Sequence, residues 1–487
     1  MTLKSSSVTR RTPTPTRAFV ISVLNALVTR IGTIGIGIAL ARLLGPEQFG
    51  TYAIAFVALM AVLSFNELGV SLAIVRWPGD PKEIAATVTT ISTACSLLLF
   101  AISYAAAPYF TAAMGNEQAT DVVRVLAACI VLNGLVSTPA ALLQRNFRQG
   151  QRMVIDQVNV WLGAGASLLL VILGMGAMSL AVGRVAASLV SGILFLIYSP
   201  LPYRFGFSPS SARQLLLFGL PLAGASMVVF AVGYLDQLTV GKMLGPVALG
   251  FYVLALNMAG WPSSLVSQPL RSVAPAAFAR LQDAPAQMRT VMASVVGVMG
   301  SAMMPVSAVL AAGAVPVVTL LYGEEWSPAA VVLAWLAPVA VFKVLHELIY
   351  DFLVVLKKSV SILGVQVLSL LVLFPALLFG ANIAGLTGLA AAPLVVAAAV
   401  TTPLYLKALA GAGMPLGALL LPLGAPLAIS VAAGAVTFLV ASSIADPLLA
   451  VGACLVVGLP AIAASIVLRL GDIKLLRRIT HGQEVPA

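Results

Sequence analysis

Arg42-Leu-Leu-Gly-Pro-Glu-Gln-Phe-Gly-Thr-Tyr52 occurs in this chain twice in outline. Two hundred residues on, the sequence reads Lys242-Met-Leu-Gly-Pro-Val-Ala-Leu-Gly-Phe-Tyr252. Leu44, Gly45, Pro46, Gly50 and Tyr52 match Leu244, Gly245, Pro246, Gly250 and Tyr252, and a basic residue opens each copy. Proline fixes φ and glycine admits the left-handed region, so a Gly-Pro pair with a second glycine four residues on describes a tight, fixed bend. Each copy stands between two long apolar runs, so each is predicted to join two hydrophobic helices. A turn repeated at one offset implies a duplicated helical bundle. Gly45, Pro46, Gly245 and Pro246 are its structural turn residues.

The rest of the composition agrees. Of 487 residues, 60% are hydrophobic and only 9% charged, with a mean hydropathy of +1.06. Soluble domains carry about 25% charged residues. Apolar runs of about 20 residues recur along the whole length, which makes this an all-α, polytopic membrane protein. The net charge of +11 does not signal nucleic-acid binding, because the basic residues are scattered singly between apolar runs. Cys95, Cys129 and Cys454 lie in apolar segments, at spacings that fit neither a disulfide framework nor a zinc site. They read as buried, inert thiols. The first stretch, 1–17, is polar and basic, and the apolar run behind it is too long for the core of a signal peptide. The N-terminus is expected to stay on, in the cytoplasm.

Fourteen helices are predicted, near 18–41, 50–75, 86–110, 120–143, 153–174, 176–198, 214–240, 248–270, 290–312, 328–350, 359–380, 384–406, 416–438 and 448–469. With the N-terminus inside and strict alternation, 21 of the 27 basic residues fall on the inner side. Only Arg42 and Lys242, the residues that open the two turns, fall outside, while Arg30, Arg124, Arg184 and Lys343 fall within helices. That bias obeys the positive-inside rule, and one missed helix would invert it downstream. Both termini are therefore expected in the cytoplasm. Six helices separate the two turns, so the halves are parallel repeats related by an axis along the membrane normal. The expected organisation is a tail at 1–17, a lobe of helices 1–6 at 18–205, a lobe of helices 7–12 at 206–410, two added helices at 411–470 and a tail at 471–487. The two six-helix lobes would enclose a central cavity, as alternating access requires.

Ala41-Arg-Leu-Leu-Gly-Pro-Glu-Gln-Phe-Gly-Thr-Tyr52 resembles the first inter-helix turn of bacterial oligosaccharide-lipid flippases, the polysaccharide transporter family. That family sits in a superfamily with the multidrug and toxin extruders and the lipid II flippase. Three further stretches carry the same resemblance: Phe218-Gly-Leu-Pro221, Leu235-Asp-Gln-Leu-Thr-Val-Gly-Lys-Met-Leu-Gly-Pro246 and Leu321-Tyr-Gly-Glu-Glu-Trp-Ser-Pro328. It covers about residues 18–470, in the wording of the colanic-acid-exporter-like branch. The resemblance implies a function in exopolysaccharide or lipopolysaccharide biosynthesis. An undecaprenyl-diphosphate-linked oligosaccharide would be flipped across the bacterial inner (cytoplasmic) membrane. Its implied partners are that substrate, membrane lipids, and the polysaccharide polymerase and export machinery. The competing readings are an ion-coupled small-molecule or multidrug extruder of the same superfamily and a membrane glycosyltransferase or polymerase.

Charges inside a bilayer cost about 2.5–3.5 kcal/mol each on insertion scales, so each needs a partner or a wet cavity. Arg30 stands near the middle of helix 1, at the edge of a polar face made by Ser22, Asn25, Thr29 and Thr33. Arg30, Arg184, Lys343 and Asn25 are the candidates for the diphosphate and glycan cavity. Guanidinium groups stay ionised and fit phosphate oxygens with paired donors. For Arg184 the neighbouring Gly183, Ala186, Ala187 and Ser188 suggest tight helix packing as the plainer alternative. Asp236, Glu67 and Glu347 are the ion-coupling candidates; Asn66 lies beside Glu67. Position 236 corresponds to Ile36 in the first copy, so Asp236 breaks the repeat's symmetry. Lys343, His346, Glu347, Tyr350 and Asp351 share one side of helix 10, where Lys343 and Glu347 are spaced to pair with each other. Asp156 reads as interfacial, and Glu324 and Glu325 as solvated. There are two histidines, His346 and His481, and no Gly-Lys-Ser/Thr phosphate loop. No catalytic residue, metal site or cofactor is expected, and the short loops argue against the enzyme.

Overall fold

The computed structural model describes residues 15–66, 70–280 and 285–480, the side chains of 15–31, 66, 225, 265–280, 285–286 and 477–480 excepted. Among the described residues the chain is helical throughout and contains no strand. Eleven helical stretches among the described residues are long and apolar enough to cross a membrane. Three of them are helix pairs run together across a kink. The first helix, α1 (Pro15–Asn66), breaks at Gly45, with φ 70°. The second pair, α7 (Pro209–Arg280), breaks at Gly245, with φ 81°. The third, α11 (Ser359–Val396), breaks at Ala384 and Gly385 and continues through a π-helical turn at Ala397–Thr401 into α12 (Thr402–Ala410). Eleven stretches with three doubled give fourteen crossings. The remaining elements are α2 (Val70–Arg76), α3 (Lys82–Ala113), α4 (Ala119–Arg145), α5 (Gln149–Ile172), α6 (Ala177–Ile197), α8 (Pro285–Ala312), α9 (Ala314–Tyr322), α10 (Ser327–Val355), α13 (Leu416–Ser443), α14 (Pro447–Val467) and α15 (Leu470–Thr480).

One detail differs from the sequence expectation. The stretch after 470, expected as a tail, forms the amphipathic helix α15. At 11 residues it is too short and too charged to register as a membrane span. It is nonetheless tied down. Asp472 accepts hydrogen bonds from Ser294 at 2.8 Å and from Arg469 at 3.3 Å, and Arg469 also donates to the carbonyl of Pro422. These contacts join α15 to α8 and α13.

The outside of the bundle is apolar, as a lipid-facing surface must be. Leu97, Leu98, Ile172, Leu371, Phe379, Leu421, Phe438 and Val456 are all exposed. The two halves meet mainly through α1 and α7, the two kinked helices of the repeat, while α13 and α14 pack onto α8. The linker between the halves is fastened along α3. Thr90 donates to the carbonyl of Gly206 at 2.8 Å and accepts from its N–H at 3.0 Å, and Thr87 accepts from the N–H of Ser208 at 3.2 Å. At the same end of the bundle Arg145 donates to the carbonyls of Ile74, Trp77 and Gly79 at 2.7, 2.7 and 3.0 Å. It thereby satisfies the open C-terminal end of α2.

Candidate functional site

The two copies of the repeated turn meet each other. A Cβ at Gly50 would overlap the carbonyl oxygen of Pro246, and a Cβ at Gly250 would overlap that of Pro46. Each virtual Cβ lies 3.2 Å from the other glycine's N–H nitrogen. Only hydrogen at both positions lets α1 and α7 cross this closely. Over the crossing lies Trp326, 1% exposed. Its ring stands edge-on to Phe49 of one copy at 5.6 Å and Phe251 of the other at 6.0 Å, and Tyr322 is 6.0 Å away. The stretch around 321–328 is thus the lid over both turns. Thr51 and Gln48 tie the first turn to neighbouring loops. Asn116 donates to the Thr51 hydroxyl at 2.9 Å, and Gln48 accepts from the N–H of Ala177 at 3.0 Å. This end of the molecule is closed by packed side chains.

One or two helical turns below the crossing sit the charges, and the two matched tyrosines lead to them. Tyr252, fully buried, donates a 2.7 Å hydrogen bond to Asp236. The other carboxylate oxygen accepts from the N–H of Gln237 at 2.8 Å. Lys343 of α10 acts on the same carboxylate through its charge. Its counterpart Tyr52 stacks on Phe56 at 5.9 Å. Phe56 in turn carries the guanidinium of Arg184 over its ring at 5.1 Å. The Arg184 charge reaches both Tyr52 and Tyr234. Thus each half sets one tyrosine of the repeat toward one charge, cationic in the first half and anionic in the second.

Arg184 also lines a cavity of about 310 Å³ in the first half. Its wall is Leu63 of α1 and one face of each of three further helices: Cys129, Leu132, Asn133 and Val136 of α4; Asp156, Asn159 and Val160 of α5; Arg184, Ser188, Ser191 and Phe195 of α6. Spacings of three and four put each set on one side of its helix. Gly183, next to Arg184, faces elsewhere: it packs against Ser167 and Gly163 of α5. Tight packing and cavity lining therefore both hold, for adjacent residues. Among the described residues no group accepts a hydrogen bond from Arg184, which both lies over the Phe56 ring and lines the cavity.

The other candidates scatter. Lys343 is exposed on α10, and Glu347 and Asp351 each have an interaction partner. His346 shares a 2.8 Å hydrogen bond with Thr402 and packs at 5.1 Å from Tyr405, away from Asp236. Asp156 is exposed at the cavity's rim, 3.9 Å from Arg152. Glu324 and Glu325 are exposed. Cys129 and Cys454 are buried and, with Cys95, unbridged. The side chains of Asn25, Arg30 and Asn66, and all of Glu67, lie outside the described residues. Tyr252 and Trp326 were missed as site residues. The repeat pointed at Tyr252, but nothing in the sequence links it to a carboxylate sixteen positions back.

Residues 39–331, which hold both turns, the Arg184 cavity and Asp236, match the family described as "Polysaccharide biosynthesis protein". The chain belongs to this family. Among its relatives is the succinoglycan biosynthesis transport protein ExoT of Rhizobium meliloti (strain 1021), 26% identical over 322 residues. That match covers 64% of each chain, so this protein spans just under two thirds of that relative's length. The lipopolysaccharide biosynthesis protein WzxC of Escherichia coli (strain K12) is 23% identical over 73% of each chain. In fold, this member of the polysaccharide biosynthesis family is similar to the lipid II flippase MurJ in an inward closed conformation. The TM-score is 0.76 over 93% of this chain and 100% of that one, at 13% identity. An inward-facing MATE family multidrug transporter gives 0.61 over 79% of this chain and 98% of that one, at 15% identity. Those likenesses establish the fold alone.

Proposed function

We propose that this protein moves an undecaprenyl-diphosphate-linked oligosaccharide from the inner to the outer leaflet of the bacterial inner membrane by alternating access. The observation that carries the reading is Arg184: a cationic side chain on a membrane-spanning helix that lines a cavity of about 310 Å³. A diphosphate head group must cross about 30 Å of hydrocarbon, which is prohibitive without compensating positive charge. Arg184 would supply that charge in the first half, and Lys343, whose charge acts on Asp236, in the second. Arg30, read from the sequence, would add to the same path. Asp236, held by Tyr252 within reach of the Lys343 charge, is the group proposed to couple transport to an ion. The closed crossing of the two turns is assigned to the outer face, where the charge bias of the loops puts it, and both termini to the cytoplasm. Reporter fusions after Arg152 and after Glu325 should then report inside and outside respectively; the same side for both ends this orientation.

The family and the relatives' roles in succinoglycan and lipopolysaccharide biosynthesis favour this reading over drug extrusion. The test is a deletion strain scored for surface polysaccharide and for accumulated lipid-linked intermediate. Loss of the first with build-up of the second is expected. Normal polysaccharide with altered drug sensitivity would favour the extruder.

A further inference from the structure

The cavity in the first half has a chemical gradient that Arg184 alone does not explain. Asn159 donates to the hydroxyl of Ser191 at 2.8 Å, and Ser191 donates to the Ser188 carbonyl at 3.1 Å. That bond sets α5 and α6 side by side with positions 159 and 191 level. The two helices run in opposite directions. Arg184 therefore lies toward the turn end, and Asp156 toward the other end near Phe195. From position 184 to 195 the axial distance is about 16 Å at 1.5 Å per residue. Along it the lining passes from a guanidinium, through Ser188, Asn159 and Asn133, to the carboxylate of Asp156.

This order is a complement to one kind of ligand. Ser191 fixes the Asn159 amide and uses one of its protons, and among the described residues nothing donates to the amide's carbonyl oxygen. An asparagine has two acceptor sites and two donor protons, so most of this capacity stays open to a guest. Amides and hydroxyls recognise sugar hydroxyls, which both donate and accept. A carboxylate accepts from hydroxyls and repels another anion. The volume, about 310 Å³, falls at the lower end of the range of small-molecule pockets, about 300–1,000 Å³. Phe195 and Val160 add apolar wall for the sugar's C–H surface. Structural polar packing would instead bond Asn159 on all sides and leave no volume beside it.

We infer that the cavity among α4, α5 and α6 reads the sugar joined directly to the carrier diphosphate, with Asn159 as its specificity-determining residue and Asp156 selecting an uncharged sugar over an acidic one. The inference rests on the flippase reading, in which Arg184 holds the phosphate. Its new content is where the first sugar lies and what that sugar is.

The experiment uses full-length protein in nanodiscs and short-chain probes: farnesyl diphosphate, and farnesyl diphosphate carrying glucose, galactose, N-acetylglucosamine or glucuronic acid. The readout is the ratio of affinities between a glycosylated probe and farnesyl diphosphate. At least one uncharged sugar should improve binding about ten-fold, the worth of one or two well-placed hydrogen bonds. Glucuronic acid should not. In Asn159→Leu the ratio should fall to within about two-fold of unity, and in Asp156→Asn the bias against glucuronic acid should shrink; both effects are of hydrogen-bond size. Ser188→Ala, expected to lower the ratio partway, serves if Asn159→Leu fails to fold. If the wild-type protein binds none of the probes, or binds them as well after Arg184→Ala, the flippase reading fails and the subsite with it. If it binds farnesyl diphosphate without any sugar preference, or the preference survives Asn159→Leu, or survives Ser188→Ala where Asn159→Leu does not fold, the subsite alone is wrong. A preference for glucuronic acid overturns the role of Asp156.

Discussion

The two copies of the repeated turn have kept one backbone and diverged in chemistry. Gly45 and Gly245 both hold positive φ, at 70° and 81°. Gly50 and Gly250 each press on the other copy's proline carbonyl. The backbone around the crossing is thus nearly interchangeable. Below it the symmetry ends. Tyr252 bonds to Asp236, whereas Tyr52 has Ile36 at the corresponding place and lies instead beside Phe56 and Arg184. Duplication preserves what packing demands, because a methyl group at either close approach would force the helices apart. It leaves free what solvation and charge demand, since those depend on which side chain the facing helix presents. The difference between the halves is therefore where directional chemistry belongs.

This comparison can be broken at its symmetric part first. Gly50→Val and Gly250→Val should each cost several kcal/mol, since neither backbone can move without separating α1 from α7. The measure is the yield of monodisperse protein after detergent extraction. Unequal losses would show that the crossing is less symmetric than its geometry. Trp326→Ala removes a buried ring shared by both copies and should cost about 3–5 kcal/mol, lowering the apparent melting temperature in a thermal-stability assay.

The asymmetric part is sharpened by charge removal. Arg184→Ala should abolish export at normal protein abundance, and Arg184→Lys should restore part of it, since lysine keeps the charge and loses the paired donors. Loss that follows abundance would make Arg184 structural. Asp236→Asn keeps the shape and removes the charge, so export should lose its dependence on the ion gradient. Tyr252→Phe deletes one hydrogen bond to a charged acceptor, worth about 1.5–3 kcal/mol, and should shift ion dependence less. If Asp236→Asn leaves gradient-dependent export intact, the second half's charge has another role.

The last comparison returns to the bend. Gly45→Ala and Gly245→Ala should each cost about 1–3 kcal/mol, because both combine positive φ with an extended ψ, of 171° and −176°, a region that only glycine enters freely. The two should be nearly equal, since a Cβ at Gly45 makes only an ordinary 3.7 Å contact with the Glu325 carboxylate and one at Gly245 meets nothing within 4 Å. Unequal melting shifts would show that more than backbone strain decides the cost.

Sequence alone determined the features that local chemistry and periodicity control. Apolar runs of membrane-crossing length fixed the helices, Gly-Pro fixed the bends, and scattered basic residues fixed the count of crossings. Each signal acts within a few residues and survives any packing. The amphipathic α15 escaped because a charged helix of 11 residues resembles a tail when only long apolar runs are sought. Tertiary structure decided which residues meet. The Gly50–Gly250 crossing, the Trp326 lid, the Tyr252–Asp236 bond and the alignment of Asn159 with Ser191 join positions from 16 to more than 270 residues apart. Arg184 shows the division within one dipeptide. Gly183 and Arg184 are neighbours in sequence, but about 100° of helical rotation separates them. One therefore packs against α5 while the other faces the cavity, and only the placement of α1, α4 and α5 around α6 sets which side is which.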